Sequence, residues 1–366
     1  MNNLKPMGAV AALYSTEDQE LAEAIVECLS RAIFHGSEIR LAGKLKRVLA
    51  NLSYRVMHWT TKSSKSTDHL GEETTVFSNA LLKRSKHPYA HALLSSSRSE
   101  TAALVEGGDP MNGPYMMIPP EIRKNCGLWD TLFFDSVQGR DVQSRIIWET
   151  RSTYESAKHW LDAGKPVRLK AVAAGTGLSM ILVYDKLIRD GYDPTLITAR
   201  ITDRDEANMV KTNRLLNKLS STRDKHYSGE KGYGISAEPE DIFEGIETPD
   251  HLKFHVVTAI GIFEYFHGFS YDTTDQKHRI ETVPGAPTGM DLAVRLAEMT
   301  ADGARLIVNT YRDDASTRIL ELFGKKFVYR STEDLKSLLA AVHFQPTRTV
   351  GSGNIYDVKI YEKRQG

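Results

Sequence analysis

Two closely spaced glycines follow a strand-like run and form a turn that could bind a ligand. The run VRLKAVAA ends at Ala174, Gly175-Thr176-Gly177 follows, and an amphipathic segment begins at Leu178. Glycines at a turn from a strand to a helix permit a tight bend and let a ligand approach the backbone closely. Glycines there also serve plain packing of the helix against the strand, so the turn needs a second feature before it indicates a site.

Two common glycine motifs do not match this turn. No lysine follows the second glycine, as a phosphate-binding loop of the form G-x-x-x-x-G-K-[ST] requires. Met180 stands where the third glycine of the dinucleotide motif G-x-G-x-x-G belongs. The sequence therefore disfavours an NAD-dependent dehydrogenase.

Acids at the ends of the next two predicted strands supply a second feature. TLITARITDRDE ends in Asp203 and Asp205, and a carboxylate there can accept both hydroxyls of a ribose lying over the glycine turn. The alternative is that Asp203 caps the helix that starts near Asp205. In GISAEPEDIF, Glu238 or Asp241 could reach an adenine amino group, or the acids could form a solvated turn. The glycine turn and the first acid together favour a nucleoside ligand.

Three side chains after the fourth and fifth predicted strands are candidate catalytic groups. An open α/β sheet binds its ligands beyond the carboxyl ends of its strands, where Glu264, His267 and Tyr311 fall. His267 could be a general base, because the ordinary pKa of histidine is about 6.5, or it could be a surface loop residue. Glu264 is the one charge in the apolar run GIFEYF and needs a partner if it is buried.

Other site chemistries lack their residues in this sequence. No His or Cys cluster has the spacing of metal ligands, so we predict no metal site. Neither a Ser-His-Asp arrangement nor a G-x-S-x-G motif is present. The two cysteines, Cys28 and Cys126, cannot make a disulfide framework, which indicates a reducing compartment.

Length and charge limit the class of protein further. The chain has 366 residues, and its 47 Lys and Arg balance its 47 Asp and Glu, so nothing favours a nucleic-acid partner. The N-terminal apolar stretch is short and is soon followed by acids, unlike a signal peptide or a membrane span. The expectation is a soluble cytoplasmic protein with a small-molecule substrate and no membrane partner.

The elements that must position these residues change in character along the chain. Residues 1–150 are mainly helical in pattern, and residues 151–366 alternate strands with helices, which predicts a mostly parallel sheet covered by helices. Two final strands, VHFQPTRTV and NIYDVKIYEK, follow each other closely and predict an antiparallel hairpin at the sheet edge. The segments that alternate are VRLKAVAA, LSMILVYDKLIRDG, TLITARIT, DEANMVKTNRLLNKLS, GYGISA, FHVVTAIG, GMDLAVRLAEMTADG and ARLIVNTY.

The N-terminal part contains several predicted helices. STEDQELAEAIVECLSRAIF places apolar residues at a four-residue spacing and stops at His35-Gly36, and SEIRLAGKLKRVLANLSYRVMHW repeats the pattern. PPEIRKNCGLWDTLFF also has a helical pattern, whereas TTKSSKSTDHLGEETT predicts a solvated loop. The helix before the first strand carries Arg145, Trp148, Tyr154 and Trp160, which could line a pocket or simply pack. The long connection after the fourth strand could be a lid or a disordered segment, and we expect a lid.

Five segments of the chain resemble, in order, the class I S-adenosylmethionine-dependent methyltransferases. AVAAGTG resembles their first-strand motif, ITDRDEANM their ribose acid and helix, and ISAEPEDI their adenine segment. HVVTAIGIFEYF and GARLIVNTY resemble the fourth and fifth strands, and the hairpin resembles the sixth and seventh strands in reversed order. The resemblance covers Ser152 to Lys363 and implies a Rossmann-like, seven-stranded sheet with S-adenosylmethionine as cofactor. The cofactor-binding residues that it implies are Ala173, Gly175, Thr176, Gly177, Asp203, Arg204, Glu238 and Gly261.

The sequence departs from the family pattern at the end of the first strand. Ala171 replaces the usual acid, and Ala173 replaces the first glycine. The resemblance implies that this acid helps to position the methionine end of the cofactor, so the ammonium here needs another partner, such as Glu264 or a residue of the N-terminal part.

Because most proteins of this fold methylate, the expected activity is methylation of a small molecule, as in small-molecule biosynthesis. The helical N-terminal part resembles a cap over the substrate. One alternative is use of the aminobutyrate chain of the cofactor, by transfer or by ring closure to azetidine-2-carboxylate, with release of methylthioadenosine. The other is a non-catalytic nucleoside-binding protein.

Overall fold

The chain forms two compact units. The computed structural model describes residues 19–36, 48–49, 51–52, 55, 65–67, 73–75, 136–222, 234–244, 248–266, 287–321 and 327–365. One unit comprises Met1–Ser144, Arg312–Phe327 and Gly353–Ile355. The other comprises Arg145–Tyr311, Val328–Ser352 and Tyr356–Gly366. The roles predicted for residues 1–150 and 151–366 stay predictions.

The helices and strands of the described residues are numbered in chain order. The helices are α1 (Gln19–Phe34), α2 (Val137–Asp162), α3 (Leu178–Arg189), α4 (Glu206–Thr222), α5 (Gly289–Met299), α6 (Ala315–Glu321) and α7 (Thr332–Ala340). The strands are β1 (Lys65–Thr67), β2 (Glu73–Thr75), β3 (Val167–Ala171), β4 (Ile197–Asp203), β5 (Gly234–Pro239), β6 (Phe254–Ala259), β7 (Thr300–Asn309), β8 (Phe344–Ser352) and β9 (Asp357–Lys363).

Seven of the strands form one mixed sheet in the second unit. Its order is β5-β4-β3-β6-β7-β9-β8, and the pairs from β5 to β7 are parallel. β9 runs antiparallel to both β7 and β8. The prediction of a mostly parallel seven-stranded sheet with an antiparallel C-terminal hairpin is confirmed.

The centre of this sheet is buried on both faces. All six residues of β6 are buried, and β3 is buried except for its partly covered Arg168. Strands buried on both faces are covered by helices on both sides, and β6 accordingly appears in the sequence as the largely apolar run FHVVTA. Leu169 and Leu306 are completely buried, so truncating either of them to alanine would cost about 2–5 kcal/mol of stability.

The outer strand β8 is protected against pairing with other chains. Most of its residues are exposed, and its register with β9 shifts at Pro346 and again before Gly351. Prolines and bulges interrupt the row of backbone groups that an edge strand would otherwise offer. Trp148 of α2 lies against Gly351, where a Cβ would come within 2.1 Å of the indole ring. The strand continues through Ser352, so two of the three residues that separate the predicted strands, 351–353, belong to β8.

Three aromatic residues of α2 contact neighbouring elements. Trp160 stacks on His255 with ring centroids 4.2 Å apart, and the Tyr154 hydroxyl donates to Asp190. With Trp148 on β8, these contacts support the packing interpretation of the three residues. Arg145, from the same helix, lies at the site described below.

The N-terminal elements match the predictions in part. α1 ends at Phe34 as predicted, and its residues Val26, Leu29 and Ile33 are buried. The predicted solvated loop instead contains the antiparallel pair β1 and β2. In the next predicted helix, Val48 and Leu49 are helical but more than half exposed, at 61% and 51%. The predicted helix PPEIRKNCGLWDTLFF lies outside the described residues.

Two helices near the C-terminus, α6 and α7, were not predicted from the sequence. α7 begins with a capping box, in which Ser331 and Asp334 each accept a hydrogen bond from the other's backbone N–H. The pattern Ser-Thr-Glu-Asp before an apolar run is a recognised start signal and would have located this helix. α6 is only seven residues long and shows less pattern.

Candidate functional site

The glycine turn after β3 has a left-handed backbone at three positions. Ala173, Gly175 and Gly177 have φ values of 48°, 58° and 60°. At Gly177, which caps α3, a Cβ would lie 2.3 Å from the side chain of Ile201 on β4. A larger residue at Gly177 would therefore separate α3 from the sheet. Ala173 is exposed and adopts a conformation that costs an L-residue about 1–2 kcal/mol.

Asp203 at the end of β4 is held directly against this turn. One carboxylate oxygen accepts the Gly175 N–H at 2.7 Å, and the other accepts the Asp205 N–H at 2.9 Å. Burial raises the pKa of Asp203, and the two backbone hydrogen bonds oppose that shift. Each oxygen keeps a lone pair for a further donor, so holding the turn and accepting ribose hydroxyls are compatible. Arg204 follows and is exposed.

The acids at the end of β5 and just after it are engaged in different ways. Glu238 is exposed and lies 3.6 Å from Arg200 as an ion pair. The Asp241 carboxylate accepts a backbone N–H of its own turn. Glu240, which the sequence analysis did not single out, accepts two hydrogen bonds from the buried Lys170 at 2.7 and 2.8 Å. The contact of Glu238 with adenine stays a prediction.

Gly261 lets the backbone after β6 lie close to two charged side chains. It has φ 75°, and its N–H donates to the Asn309 side chain at 2.6 Å. A Cβ here would lie 3.3 Å from Nη1 of Arg145 and 3.6 Å from Oε1 of Glu264. The glycine thus keeps the space beside both groups open.

Arg145 and Glu264 form a buried but loose ion pair. Nη1 and Oε1 are 3.8 Å apart, and the side chains are 9% and 4% exposed. The guanidinium also lies over the ring of Tyr356, 4.5 Å from its centroid. A separation of 3.8 Å is longer than a hydrogen bond, so the two charges attract without sharing a proton.

Glu149 is a third charged group of the site, and the sequence analysis missed it. It lies one helical turn after Arg145 on α2 and accepts a hydrogen bond from Ser179, in the first turn of α3. Burial raises the pKa of Glu149 to about 7, although Arg145 and Ser179 both oppose the shift. Its spacing of four residues from Arg145 was the signal that could have found it.

Tyr311 lies among aromatic rings after β7. Its ring is 5.6 Å from that of Tyr329 and 5.3 Å from that of Tyr356. Burial raises the pKa of Tyr311 well above its ordinary value, so the phenol stays neutral and cannot act as a base near pH 7. A catalytic role for Tyr311 stays a prediction, and in this environment that role is hydrogen bonding.

Arg330 fixes the turn that carries Glu264, and the sequence analysis missed it as well. Its buried guanidinium donates to the carbonyl oxygens of Phe263 and Phe266, on either side of Glu264. Its backbone N–H donates to the Tyr311 carbonyl at 2.8 Å. Burial lowers the pKa of Arg330 to about 10, which leaves it charged near pH 7. Arg330 therefore ties together the segments after β6 and β7.

Some predicted features lie outside the described residues. His267 is among them, as is most of the long connection after β6, so the catalytic role of His267 and the lid stay predictions. Among the residues that are described, no three His, Cys, Asp or Glu side chains are grouped as metal ligands would be. None of the described helices combines the length and the apolar character needed to cross a bilayer. The cytoplasmic location stays a prediction.

Comparison with known proteins finds similarity in structure only. No protein-family model matches the sequence, and no curated protein matches it. Magnesium protoporphyrin IX methyltransferase (ChlM) from Synechocystis PCC 6803, with bound SAH, is 14% identical, with a TM-score of 0.38 over 61% of this chain and 87% of that one. The CurJ carbon methyltransferase is 12% identical, with a TM-score of 0.45 over 99% and 100%. A possible exported protein from Bordetella parapertussis is also 12% identical, with a TM-score of 0.48 over 88% and 97%.

The strand order decides the architecture. Five parallel strands with the first at the centre, followed by a reversed antiparallel pair at one edge, make up the sheet. This is the class I methyltransferase fold. In that fold the glycine turn after β3, Asp203 at the end of β4 and Gly261 after β6 share the carboxyl edge of three adjacent strands. The residues at this edge, and not the likeness to other structures, carry the functional inference.

Proposed function

We propose that the chain binds S-adenosylmethionine at the carboxyl edge of β3, β4 and β6 and transfers its methyl group to a small molecule. The observation that carries this proposal is the contact between Asp203 and the Gly175 N–H at 2.7 Å. It places a carboxylate at the glycine turn at the point where an open sheet of this fold binds a nucleoside.

The residues at this edge fit the proposed cofactor. Asp203 retains acceptor positions for the ribose hydroxyls, and the glycines at 175 and 177 keep the turn close to the sheet. Beyond the turn, Arg145 supplies a buried positive charge and Glu264 a buried negative charge. A nucleoside with a charged amino-acid end needs those three kinds of group.

The chain's own contribution to methyl transfer is alignment and exclusion of water. Bound S-adenosylmethionine supplies an electrophilic methyl group on a sulfonium, so the reaction needs little from protein acids and bases. Holding two reactants in line can supply about 7–11 kcal/mol of the barrier reduction. Glu264 forms an ion pair with Arg145, and Arg330 holds the turn that carries Glu264. Glu264 is therefore a charged side chain in a fixed position at such a site.

A second candidate is use of the aminobutyrate chain, and Ala171 is the observation that favours it. Without an acid at this position, the amino group lacks the partner that the family resemblance implies. Ring closure requires that amino group to be neutral, however, and a nearby carboxylate favours the ammonium form. The buried Glu264 therefore weighs toward methyl transfer.

Analysis of the spent nucleoside tests the proposal. Purified protein is incubated with S-adenosylmethionine, alone and with pools of small-molecule acceptors, and the nucleosides are separated by chromatography. Methyl transfer predicts S-adenosylhomocysteine that forms only when an acceptor is present. Enzyme-dependent methylthioadenosine from the cofactor alone would replace the proposal with ring closure.

A further inference from the structure

Three apolar side chains of the first unit are the most exposed large apolar side chains among the described residues. Val48, Leu49 and Leu52 are helical, and their exposed fractions are 61%, 51% and 57%. Positions i, i+1 and i+4 of a helix lie within about 100° of one another around its axis, so these residues share one side of it. We call them the exposed apolar face. Apolar residues that are grouped in this way, unlike single scattered ones, mark an interaction site.

The helix α1, in the same unit, shows the ordinary use of an apolar side. Its residues Val26, Leu29 and Ile33 are buried, so the protein itself covers the apolar side of α1. The exposed apolar face has residues of the same kind, yet each of them is more than half exposed. A partner that covers this face would remove apolar surface from water, as folding does at α1.

The sequence around the exposed apolar face carries one sign of charge. Residues 39–59 include five Lys or Arg and no Asp or Glu, although the charges of the whole chain balance. The helix α1, in contrast, has three glutamates and one arginine. Arg55 is one of the five basic residues, and it is helical and exposed. The five basic residues are Arg40, Lys44, Lys46, Arg47 and Arg55.

The sequence pattern of residues 39–59 is that of an amphipathic helix with a basic polar side. Apolar residues recur at the spacing of one helix side, and Trp59 falls in step with them. The basic residues occupy the other positions. Lys and Arg on one side with Leu and Trp on the other are typical of a helix that lies in a membrane interface. The recurring apolar residues are Leu41, Leu45, Val48, Leu49, Leu52 and Val56.

Charge decides which partner fits the exposed apolar face. A second copy of the chain would bring the same basic segment against this one, and like charges in an interface repel. The surface of an anionic bilayer offers negative headgroups directly above apolar acyl chains. Such a surface complements both the basic residues and the apolar residues of this segment.

We propose that Val48, Leu49, Leu52 and Arg55 bind the surface of an anionic lipid bilayer. The three apolar side chains enter the boundary between headgroups and acyl chains, Arg55 pairs with the headgroups, and the other basic residues of 39–59 add to the attraction. The inference goes beyond the proposed function and does not depend on it. It departs from the expectation of no membrane partner, which the sequence analysis based on the lack of a spanning segment.

Co-sedimentation with lipid vesicles tests this proposal. The full-length protein is mixed with vesicles of equal parts phosphatidylserine and phosphatidylcholine, or of phosphatidylcholine alone, and the bound fraction is measured at low and high salt. We expect binding to the anionic vesicles only, and weaker binding at high salt, because salt screens the charges. A basic residue near an anionic surface strengthens binding by roughly fivefold, so Arg55→Gln should weaken it by about that factor.

Substitutions on the exposed apolar face test its part in the binding. Leu49→Gln combined with Leu52→Gln should weaken vesicle binding by at least about tenfold, because two apolar side chains no longer enter the lipid. Both residues are more than half exposed, so the unfolding temperature should not change. The matched control is Val294→Gln, which replaces an exposed apolar residue of α5 outside the basic segment and should leave vesicle binding unchanged.

Four results would overturn the proposal. The first is no binding to anionic vesicles, or equal binding to both kinds of vesicle. The second is salt-sensitive binding that survives the paired leucine substitution, since charge alone would then attract any polyanion. The third is self-association that this substitution abolishes, which would assign the face to a second copy. The fourth is a lower unfolding temperature of the paired variant, which would show that the face packs within the chain. Calorimetry with S-adenosylhomocysteine on the same samples tests the proposed function separately.

Discussion

Replacing Asp203 by asparagine gives the sharpest single-residue prediction. The carboxylate holds two backbone N–H groups and keeps lone pairs for the ribose. Asparagine retains one acceptor oxygen, so one backbone hydrogen bond survives while the charge and the second acceptor are lost. Alanine would remove both contacts to the turn, so it is the poorer test of binding.

The size of the effect follows from the contacts that are lost. Hydrogen bonds to a charged group contribute about 1.5–3 kcal/mol, which corresponds to roughly a 10- to 100-fold loss of affinity. Calorimetric titration with S-adenosylhomocysteine measures this loss directly. Thermal unfolding of the same sample reports whether the turn is still formed.

The matched control is an acid that caps without touching the site. Asp193 accepts the Thr195 N–H at 2.9 Å before β4, at the amino end of the strand, so Asp193→Ala should leave the affinity unchanged. Unchanged affinity in a folded Asp203→Asn protein would refute the ribose role and leave Asp203 as a support for the turn.

Three further predictions concern stability. Ala173→Gly should raise the free energy of unfolding by up to about 1 kcal/mol, because glycine adopts the left-handed backbone conformation without strain. A lower free energy of unfolding for this variant in chemical denaturation would contradict the strain at Ala173. Gly177→Ala should destabilise the protein by at least about 1 kcal/mol, because its Cβ would collide with Ile201; an unchanged unfolding temperature would contradict the contact. Burial, and to a smaller extent the charge of Arg168, lower the pKa of His255 to about 4. The folded protein therefore favours neutral His255, and the stability that this contributes is fully present above pH 6.5 and is lost as the pH falls toward 4. His255→Gln should flatten the pH dependence of unfolding in that window, and an unaltered slope would show that His255 does not carry it.

The parallel strands could be predicted from the sequence because strands buried on both faces have mostly apolar residues. β6 appears as a largely apolar run, β3 leads into the apolar residues 171–174, and glycines follow both strands. The antiparallel pair β1 and β2 could not be predicted in this way, because both strands consist of polar residues and show no alternation of apolar and polar residues. β7 starts at Thr300, earlier than predicted, because the polar segment Thr-Ala-Asp-Gly extends the strand and Thr300 pairs with Phe254.

Site residues could be predicted from the sequence only where they lie next to a strand or helix that the sequence pattern shows. Asp203 and Gly175 stand at strand ends, and the sequence analysis found both. The association of Arg145 with Glu264, and of Glu149 with Ser179, depends on which side of α2 faces the loops after β3 and β6. That rotation is set by tertiary packing, such as Trp148 against Gly351, and a single sequence does not encode it in a short pattern.

Hydrogen–deuterium exchange with S-adenosylhomocysteine tests the central claim most directly, because it locates the bound ligand on the chain. If the carboxyl edge of β3, β4 and β6 is the cofactor site, the ligand should slow exchange at residues 172–179, 203–208 and 259–266, with little change at the amino ends of the same strands. Unchanged exchange in these three segments at saturating ligand, or protection confined to other parts of the protein, would contradict the assignment.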